Sequence, residues 1–270
     1  MREALLGVAV GKKGIGKTYT TMQTIKNYVN GSANIKPRRA LILDVNDEFE
    51  DVKAISVDHV KLFSHHPKVE VRRVRCYNPD GTKMTLNEIA DTLKIILDTY
   101  KGGLLLVEDI NKYISDNLPT DLIGAICTNR HTSTDIIMHF QSIGRITPKI
   151  WQNINFLRFH KNTDSVDKHQ RKFDDRYEAF KICEILVNKQ YHNGNNRFYL
   201  TYDCDTETIY GNYSKAQIMD AIEEYISLSY NRKVKPLLNM VDAKGKKKFT
   251  PEKAYSEVKN TLIKMYLPKR

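Results

Sequence analysis

Residues 11–18 form a glycine-rich loop that limits the folds open to this chain more than any other feature. The run Gly11-Lys12-Lys13-Gly14-Ile15-Gly16-Lys17-Thr18 matches the full G-x-x-x-x-G-K-[ST] pattern. Residues 4–10 are apolar, as in a buried strand, and residues 19–30 can form one helix that ends at Gly31. Backbone N–H groups and the helix dipole then converge on an anion. The pattern predicts a nucleoside triphosphate site, and the alternative is a chance match.

Three side chains at the end of this loop have predicted roles in binding ATP and Mg²⁺. Lys17 would reach the β- and γ-phosphates, and the hydroxyl of Thr18 would hold the metal ion. Tyr19 follows directly at the start of the predicted helix. We therefore include it, with residues 11–18, in the predicted nucleotide-binding set.

Apolar strand-like runs alternate with helical segments through most of the chain. This alternation predicts an α/β fold with a mostly parallel central sheet and helices on both faces. A capping box at Thr85 and Glu88 opens one of the helices. The predicted strands are residues 4–10, 39–44, 69–77 at an edge, 104–107, 135–140 and 155–159. Residues 197–202 and 208–210, with a helix at 214–228, form a small C-terminal β/α extension.

The formal charge of +11 is concentrated at the C-terminus. Residues 231–270 contain twelve Lys and Arg against three acidic residues, which leaves only +2 for residues 1–230. We therefore divide the chain into an ATPase-type domain, residues 1–230, and a basic tail, residues 231–270. A tail this basic fits a polyanionic partner such as nucleic acid or, equally, a solvated segment with no dedicated partner.

The tail is also predicted to contain a helix. Thr250 and Pro251 resemble a helix start, and Tyr255, Val258, Leu262 and Met265 form an apolar stripe. Such a stripe can dock on its own core, on a neighbouring subunit or on another protein.

Cysteine usage and hydropathy indicate a cytoplasmic protein. The four cysteines are scattered without metal-ligand spacing, which is typical of reduced thiols. The first strand begins at once, which leaves no room for a signal peptide, and no apolar run approaches the roughly 18 residues of a membrane span. We therefore expect no membrane segment.

An acidic pair follows the strand at residues 104–107. Glu108 and Asp109 stand where a Walker B element would supply a metal ligand and a water-activating carboxylate. Glu108 would coordinate Mg²⁺ through water and Asp109 would polarise the attacking water. The Glu-before-Asp order is inverted, so the division of these roles stays open. The alternative is a pair of solvated acids.

Two further residues are candidates for the catalytic set. Gln141 ends the next predicted strand and would sense the γ-phosphate or position water, if that strand lies beside the Walker B strand; otherwise it is a surface glutamine. Arg130 precedes that strand. It is either an arginine finger, which enters a neighbouring subunit's site and neutralises transition-state charge, or an ordinary solvated arginine. Arg145 and Arg158 are lesser candidates for the finger.

These motifs resemble the FtsK/HerA branch of the P-loop ATPases. The resemblance rests on four segments. These are the phosphate loop, the run Leu41-Ile42-Leu43-Asp44…Glu48-Phe49, the Glu-Asp element, and residues 129–158 from Asn129-Arg130-His131 through Gln141-Ser142 to Arg158. That last segment looks like the viral genome-packaging ATPases and, more distantly, Zot-like phage proteins. The resemblance covers about residues 1–160 and implies a RecA-like ATPase core.

This resemblance implies a ring ATPase, a pentamer or hexamer, that moves double-stranded DNA. By position it assigns nucleotide and metal binding to Lys17 and Thr18, the sensor to Gln141 and the finger to Arg130. We therefore expect a packaging motor in the cytoplasm of a host, associated with a portal or vertex protein of the capsid. The alternatives are a Zot-like phage assembly ATPase and a nucleotide-dependent switch without motor activity.

Overall fold

The structure, a computed structural model, describes residues 3–32, 36–109, 120–127 and 129–268. Of residues 120, 121, 130 and 174 it describes the backbone alone. The described strands form one eight-stranded sheet in the order β3-β2-β4-β5-β1-β6-β7-β8. Strands β1 to β6 are parallel, and the last two are antiparallel. The strands are β1 Leu6–Val10, β2 Ala40–Asp44, β3 Val71–Arg75, β4 Leu104–Val107, β5 Asp135–Phe140, β6 Phe156–His160, β7 Tyr199–Asp203 and β8 Thr208–Gly211.

Helices cover both faces of this sheet, as the fully apolar strands require. Alternate residues of one strand enter different cores, so that Ile42 of β2 packs with Ile25 of the first helix while Leu41 packs on the opposite face. The described helices are α1 Lys17–Asn30, α2 Val60–His65, α3 Leu86–Thr99, α4 Thr120–Cys127, α5 Asn129–Thr132, α6 Pro148–Asn153, α7 Tyr177–His192, α8 Lys215–Leu228, α9 Tyr230–Lys233, α10 Lys235–Leu238 and α11 Pro251–Tyr266.

The strand order brings three loops to one edge of the sheet. Strand β5 lies between β1 and β4, with Val10 opposite Phe140 and Val107 opposite Met138. Because parallel strands present their carboxyl ends at the same edge, the residues that follow β1, β4 and β5 all lie there. The Walker B strand, β4, and the strand before Gln141, β5, are therefore neighbours in the sheet, as the placement of Gln141 at the site required.

The α/β architecture predicted from the sequence is confirmed, including the position of β3 at an edge and the capping box between Thr85 and Glu88. Helix α1 begins at Lys17, two residues earlier than predicted, because Gly16 in the left-handed conformation is its N-cap. The strands predicted at 197–202 and 208–210 are shifted by up to two residues and extend the sheet beyond β6.

The helix in the basic tail packs on the chain's own core, where α11 contacts α8 and β8. Its buried residues are Ala254, Val258, Leu262 and Tyr266, spaced by four. Inclusion of Met265 in the stripe was wrong, since Met265 is 43% exposed and Tyr266 turns inward instead. The Tyr266 hydroxyl lies 3.4 Å from a carboxylate oxygen of Glu178, so a polar contact helps to select this face.

No helix in the described ranges is both long enough and apolar enough to cross a bilayer.

Candidate nucleotide site

The glycine-rich loop between β1 and α1 has the backbone conformation of an anion cradle. Gly11 and Gly16 have φ of 155° and 89°, which side-chain-bearing residues rarely adopt. A Cβ on Gly11 would also stand 2.7 Å from the Cβ of His160 and 3.0 Å from the carbonyl oxygen of Lys161. The loop is therefore held against the end of β6 by a contact that only glycine allows.

Lys17 is buried at the centre of this cradle with 7% of its surface exposed. Its ammonium donates hydrogen bonds to the carbonyl oxygens of Gly11 at 2.6 Å and Lys12 at 3.0 Å. Burial lowers the pKa of Lys17, and the nearby carboxylates of Asp109, Glu108 and Glu48 oppose that shift. The Lys17 side chain is thus placed at the loop that would bind the triphosphate.

Thr18 and Glu108 meet across the cavity. The Thr18 hydroxyl donates a 2.6 Å hydrogen bond to Oε1 of Glu108. A hydroxyl and a carboxylate oxygen are the hard donors that Mg²⁺ prefers. Among the described residues no group of three His, Cys, Asp or Glu could hold a metal by itself. The pair therefore fits an ion that takes its other ligands from phosphate and water.

Asp109 is held between two side-chain amides. Its backbone has φ of 45°, a left-handed conformation that is uncommon for aspartate. One carboxylate oxygen accepts a 2.9 Å bond from Asn46, and the other accepts a 3.0 Å bond from Gln141. Asp109 is thus fixed by residues that follow two other strands, β2 and β5.

The loop after β2 is ordered by Asp44, which is fully buried. Its carboxylate accepts backbone N–H bonds from Glu48 at 2.9 Å and Phe49 at 3.2 Å. It also pairs with Arg73 of β3 at 2.7 Å. This network orders the loop that carries Asn46 to Asp109 and Glu48 to the cavity wall. The sequence prediction did not include Asn46 or Glu48 among the site residues.

The cavity wall also includes an aromatic ring and a guanidinium group. Tyr19 is 59% exposed, and the guanidinium of Arg197 lies 5.4 Å from the centre of its ring. The side chain of Arg197 also lies alongside Gly16, where a Cβ would be 3.5 Å from its Cγ. Arg197 was missed by the sequence prediction, and no local motif marks it.

Many of these groups line one cavity of about 270 Å³. Its wall combines the carboxylates of Glu48, Glu108 and Asp109 with residues of the phosphate loop and with Tyr19 and Arg197. The lining residues are Lys13, Gly14, Gly16, Lys17, Thr18, Tyr19, Glu48, Glu108, Asp109, Gln141 and Arg197. Of the other predicted loop residues, Ile15 is buried beside Gly11 and Lys12 donates a 2.5 Å hydrogen bond to Tyr191.

Arg130 lies far from this cavity in the same chain. Its backbone is in α5, which precedes β5, and Gly102 before β4 donates a backbone bond to Thr132 of that helix. The helix is therefore at the amino-terminal edge of the sheet, roughly 20 Å from Gln141 across a six-residue strand. The side chain of Arg130 is outside the described residues. The backbone of Arg130 is thus at the edge of the sheet opposite to the cavity.

Arg158 is not on the surface, so its candidacy as a finger was wrong. It is 8% exposed, and its guanidinium donates bonds to Thr21 at 3.1 Å and Thr24 at 3.0 Å. Burial lowers the pKa of Arg158. The reason lies in strand alternation, which turns this arginine of β6 toward α1. Arg145, the other lesser candidate, is exposed.

The fold and the cavity define a P-loop NTPase with a RecA-like core. The chain resembles the genome packaging NTPase B204 from Sulfolobus turreted icosahedral virus 2, solved with AMP, at a TM-score of 0.51 and 15% identity. That match covers 79% of this chain and 98% of the other. B204, the DNA-packaging ATPase from Sulfolobus turreted icosahedral virus, matches at 0.50 and 13% identity over 78% of this chain and 97% of that one.

A third structure, the N-terminal domain of zonular occludens toxin from Neisseria meningitidis, matches at a TM-score of 0.35 and 14% identity. It covers 58% of this chain and 76% of that one. No family model and no curated protein matches the sequence. The predicted RecA-like P-loop fold is confirmed by the first two structures, whereas the likeness to packaging ATPases in function and the narrower assignment to the FtsK/HerA branch stay predictions.

Proposed function

We propose that this chain is the Mg²⁺-dependent ATPase subunit of a motor that translocates double-stranded DNA during genome packaging. The observation that carries the proposal is the single cavity in which Lys17, Glu108 and Gln141 meet, each from a loop after a different strand. A phosphate loop alone would fit any nucleotide-binding protein. A carboxylate pair and an amide opposite it are the groups that hydrolysis requires.

In this proposal Lys17 and the loop amides bind the triphosphate, and Thr18 with Glu108 holds Mg²⁺. A bound Mg²⁺ neutralises charge that develops on the phosphate oxygens. Asp109 then accepts a proton from the attacking water, which Gln141 orients. The bond between Gln141 and Asp109 supports this division, because it holds the carboxylate where both can face one water.

In this proposal a second subunit completes the site. The backbone position of Arg130, at the opposite edge of its own sheet, supports action on a neighbour's nucleotide and not on its own. We propose that it neutralises transition-state charge there, in a ring of five or six copies. An arginine supplied in this way is worth roughly 10³–10⁵ in rate in other NTPases.

A basic hairpin, residues 240–248, is the proposed contact with DNA. Asp242 accepts backbone bonds from Lys244 and Lys246 at 2.8 and 2.9 Å, and Gly245 has φ of 76°. The turn is thus ordered by the only acidic residue it contains. The lysines of the hairpin, Lys244, Lys246, Lys247 and Lys248, are all exposed. Within the described part of the chain none of them is ion-paired, unlike Lys233 and Lys259, which bind Glu178 and Glu223.

Clustered, exposed positive charge on a hydrogen-bonded turn suits a phosphate backbone and needs no particular base sequence. We propose that the motor works in the cytoplasm, that of the host if the gene is viral. There it would dock on a portal or vertex protein of a procapsid.

The test is steady-state ATP hydrolysis with and without long double-stranded DNA. A DNA-coupled motor hydrolyses ATP in the presence of Mg²⁺ and accelerates several-fold on DNA. Lack of stimulation by DNA, with hydrolysis intact, would replace this proposal with an assembly ATPase. Slow hydrolysis by a monomer would replace it with a nucleotide switch.

A further inference from the structure

A row of buried polar side chains crosses the sheet beneath α1. His139 of β5 and Arg158 of β6 both lie opposite Ala9 of β1, one on each side of it. Thr21 of α1 packs above that alanine and contacts both. His139 and Thr21 are fully buried. Buried polar groups are costly unless they are paired, so this row needs an explanation other than packing.

The hydrogen bonds in this row have a defined direction. Arg158 can only donate, so the Thr21 oxygen accepts its 3.1 Å bond. Among the described residues the remaining partner of the Thr21 hydroxyl is Nε2 of His139, at 2.8 Å. With that oxygen accepting from Arg158, the hydroxyl is free to donate to Nε2, and we assign the tautomer of His139 in which Nε2 is the acceptor. A neutral imidazole then carries its own proton on Nδ1.

Nδ1 of His139 faces the Walker B carboxylate. It lies 3.6 Å from Oε1 of Glu108, the same oxygen that accepts the bond from Thr18. A shift of roughly half an ångström would bring the two atoms to hydrogen-bond distance. Donation from Arg158 to Thr21 and from Thr21 to Nε2 thus leaves the Nδ1 proton of His139 facing Glu108.

We propose that His139 is a positioning residue that presents its Nδ1 proton to Glu108 and fixes that carboxylate for the metal. The inference rests on the proposed function, because it assumes that Glu108 and Thr18 hold Mg²⁺. The inference also gives Thr21 a role, because its hydroxyl sets the tautomer of His139. Partners of this kind in other metal sites change metal affinity roughly 10–100-fold when they are removed.

The test compares two replacements of the histidine. His139→Gln retains an acceptor near Thr21 but removes the donor that faces Glu108, whereas His139→Asn retains a donor at the Nδ1 position. The readout is the affinity for a fluorescent ATP analogue, measured first in EDTA and then against increasing Mg²⁺. We expect His139→Gln to bind in EDTA like wild type and to need at least tenfold more Mg²⁺ for tight binding. His139→Asn should need less Mg²⁺ than His139→Gln.

A second pair of variants separates positioning from simple packing. Thr21→Val and Thr24→Val each remove one hydroxyl that accepts a bond from Arg158, in nearly the same volume. Only Thr21 touches His139, so only Thr21→Val should raise the Mg²⁺ requirement. This pair also serves if the histidine variants fail to fold.

Equal effects of Thr21→Val and Thr24→Val, or an unchanged Mg²⁺ requirement in His139→Gln, would overturn the inference. A wild-type protein that binds no nucleotide would instead refute the proposed function. The two failures are therefore distinguishable in one set of titrations.

Discussion

Gln141 donates a 3.0 Å hydrogen bond to Asp109, and the two residues follow neighbouring parallel strands. This bond links the group expected to sense the γ-phosphate to the carboxylate expected to activate water. Asn46 occupies the other carboxylate oxygen at 2.9 Å. The carboxylate is thereby oriented from both sides, which matters because aspartate is one methylene shorter than the glutamate usual at such a position.

Gln141→Ala should lower kcat by about 10²-fold, the scale of a lost orienting group, while nucleotide affinity stays near wild type. Asn46→Ala removes the other amide and should lower kcat less, because Asn46 does not line the cavity. Steady-state hydrolysis and equilibrium binding of an ATP analogue measure the two effects. Loss of affinity in parallel with kcat would show that Gln141 binds substrate instead of acting on water.

Lys17→Ala should abolish nucleotide binding and hydrolysis while the circular dichroism spectrum is retained. The ammonium is buried among loop carbonyls, and no other lysine of the described cavity wall is buried. Lys26→Ala, which changes an exposed lysine of the same helix, is the matched control. Turnover that survives in Lys17→Ala would remove the basis for the site.

Arg130→Ala should lower hydrolysis by roughly 10³-fold or more and leave nucleotide binding intact. Mixed with Lys17→Ala subunits, which lack nucleotide but retain the finger, it should regain part of the activity. The measurement is ATPase rate against mixing ratio. Activity that never exceeds the sum of the two inactive proteins would argue against action between subunits.

Much of the fold was predictable because its strands are buried on both faces. Residues 104–107 are apolar without alternation, and only a covered parallel strand accommodates such a run. The residues that follow β1, β4 and β5 were predictable for the same reason, since parallel strands present their ends together. Glu108 could therefore be assigned to the site from its motif, whereas the place of Gln141 depended on the strand order that the structure supplies.

The missed residues depend on contacts between distant segments. Arg197 reaches Tyr19 because β7 joins the sheet antiparallel to β6, an arrangement that no motif in residues 161–197 indicates. His139 resembles a lone histidine in an apolar strand, and only the pairing of Ala9 with both neighbours reveals its partners. Arg158 was misjudged since a strand pattern alone does not say which face an individual side chain joins.

The basic hairpin should account for much of the salt dependence of DNA binding. Each phosphate contact contributes about 0.9 to the slope of log K against log salt concentration. Replacing Lys244, Lys246 and Lys247 by Gln should therefore lower that slope by about 2–3 without changing basal hydrolysis. The control replaces three other exposed tail lysines, Lys235, Lys253 and Lys264, with the same loss of charge. Equal slopes for the two triple variants would assign DNA binding to the tail's net charge and not to the hairpin.

His160 should make the protein less stable at acidic pH. Its ring is fully buried, stacks on Tyr199 at 5.0 Å, and neither ring nitrogen has a hydrogen-bond partner among the described residues. Burial lowers the pKa of His160 to about 2, whereas an unfolded histidine titrates near 6.5. Between these values the unfolded state binds the extra proton, so stability is complete above about pH 6.5 and falls as pH decreases.

The loss amounts to about 1.4 kcal/mol per pH unit, or about 2 kcal/mol of unfolding free energy at pH 5. His160→Phe retains an aromatic ring against Tyr199 and cannot take up a proton. Urea unfolding at pH 7.5 and pH 5.0 should therefore show a smaller decrease for His160→Phe than for wild type, by about 2 kcal/mol. His139 is also buried with a lowered pKa and contributes in the same direction in both proteins, so the difference isolates His160. If the unfolding free energy decreased equally in the two proteins, the ring of His160 would have to find a hydrogen-bond partner for the added proton in solution.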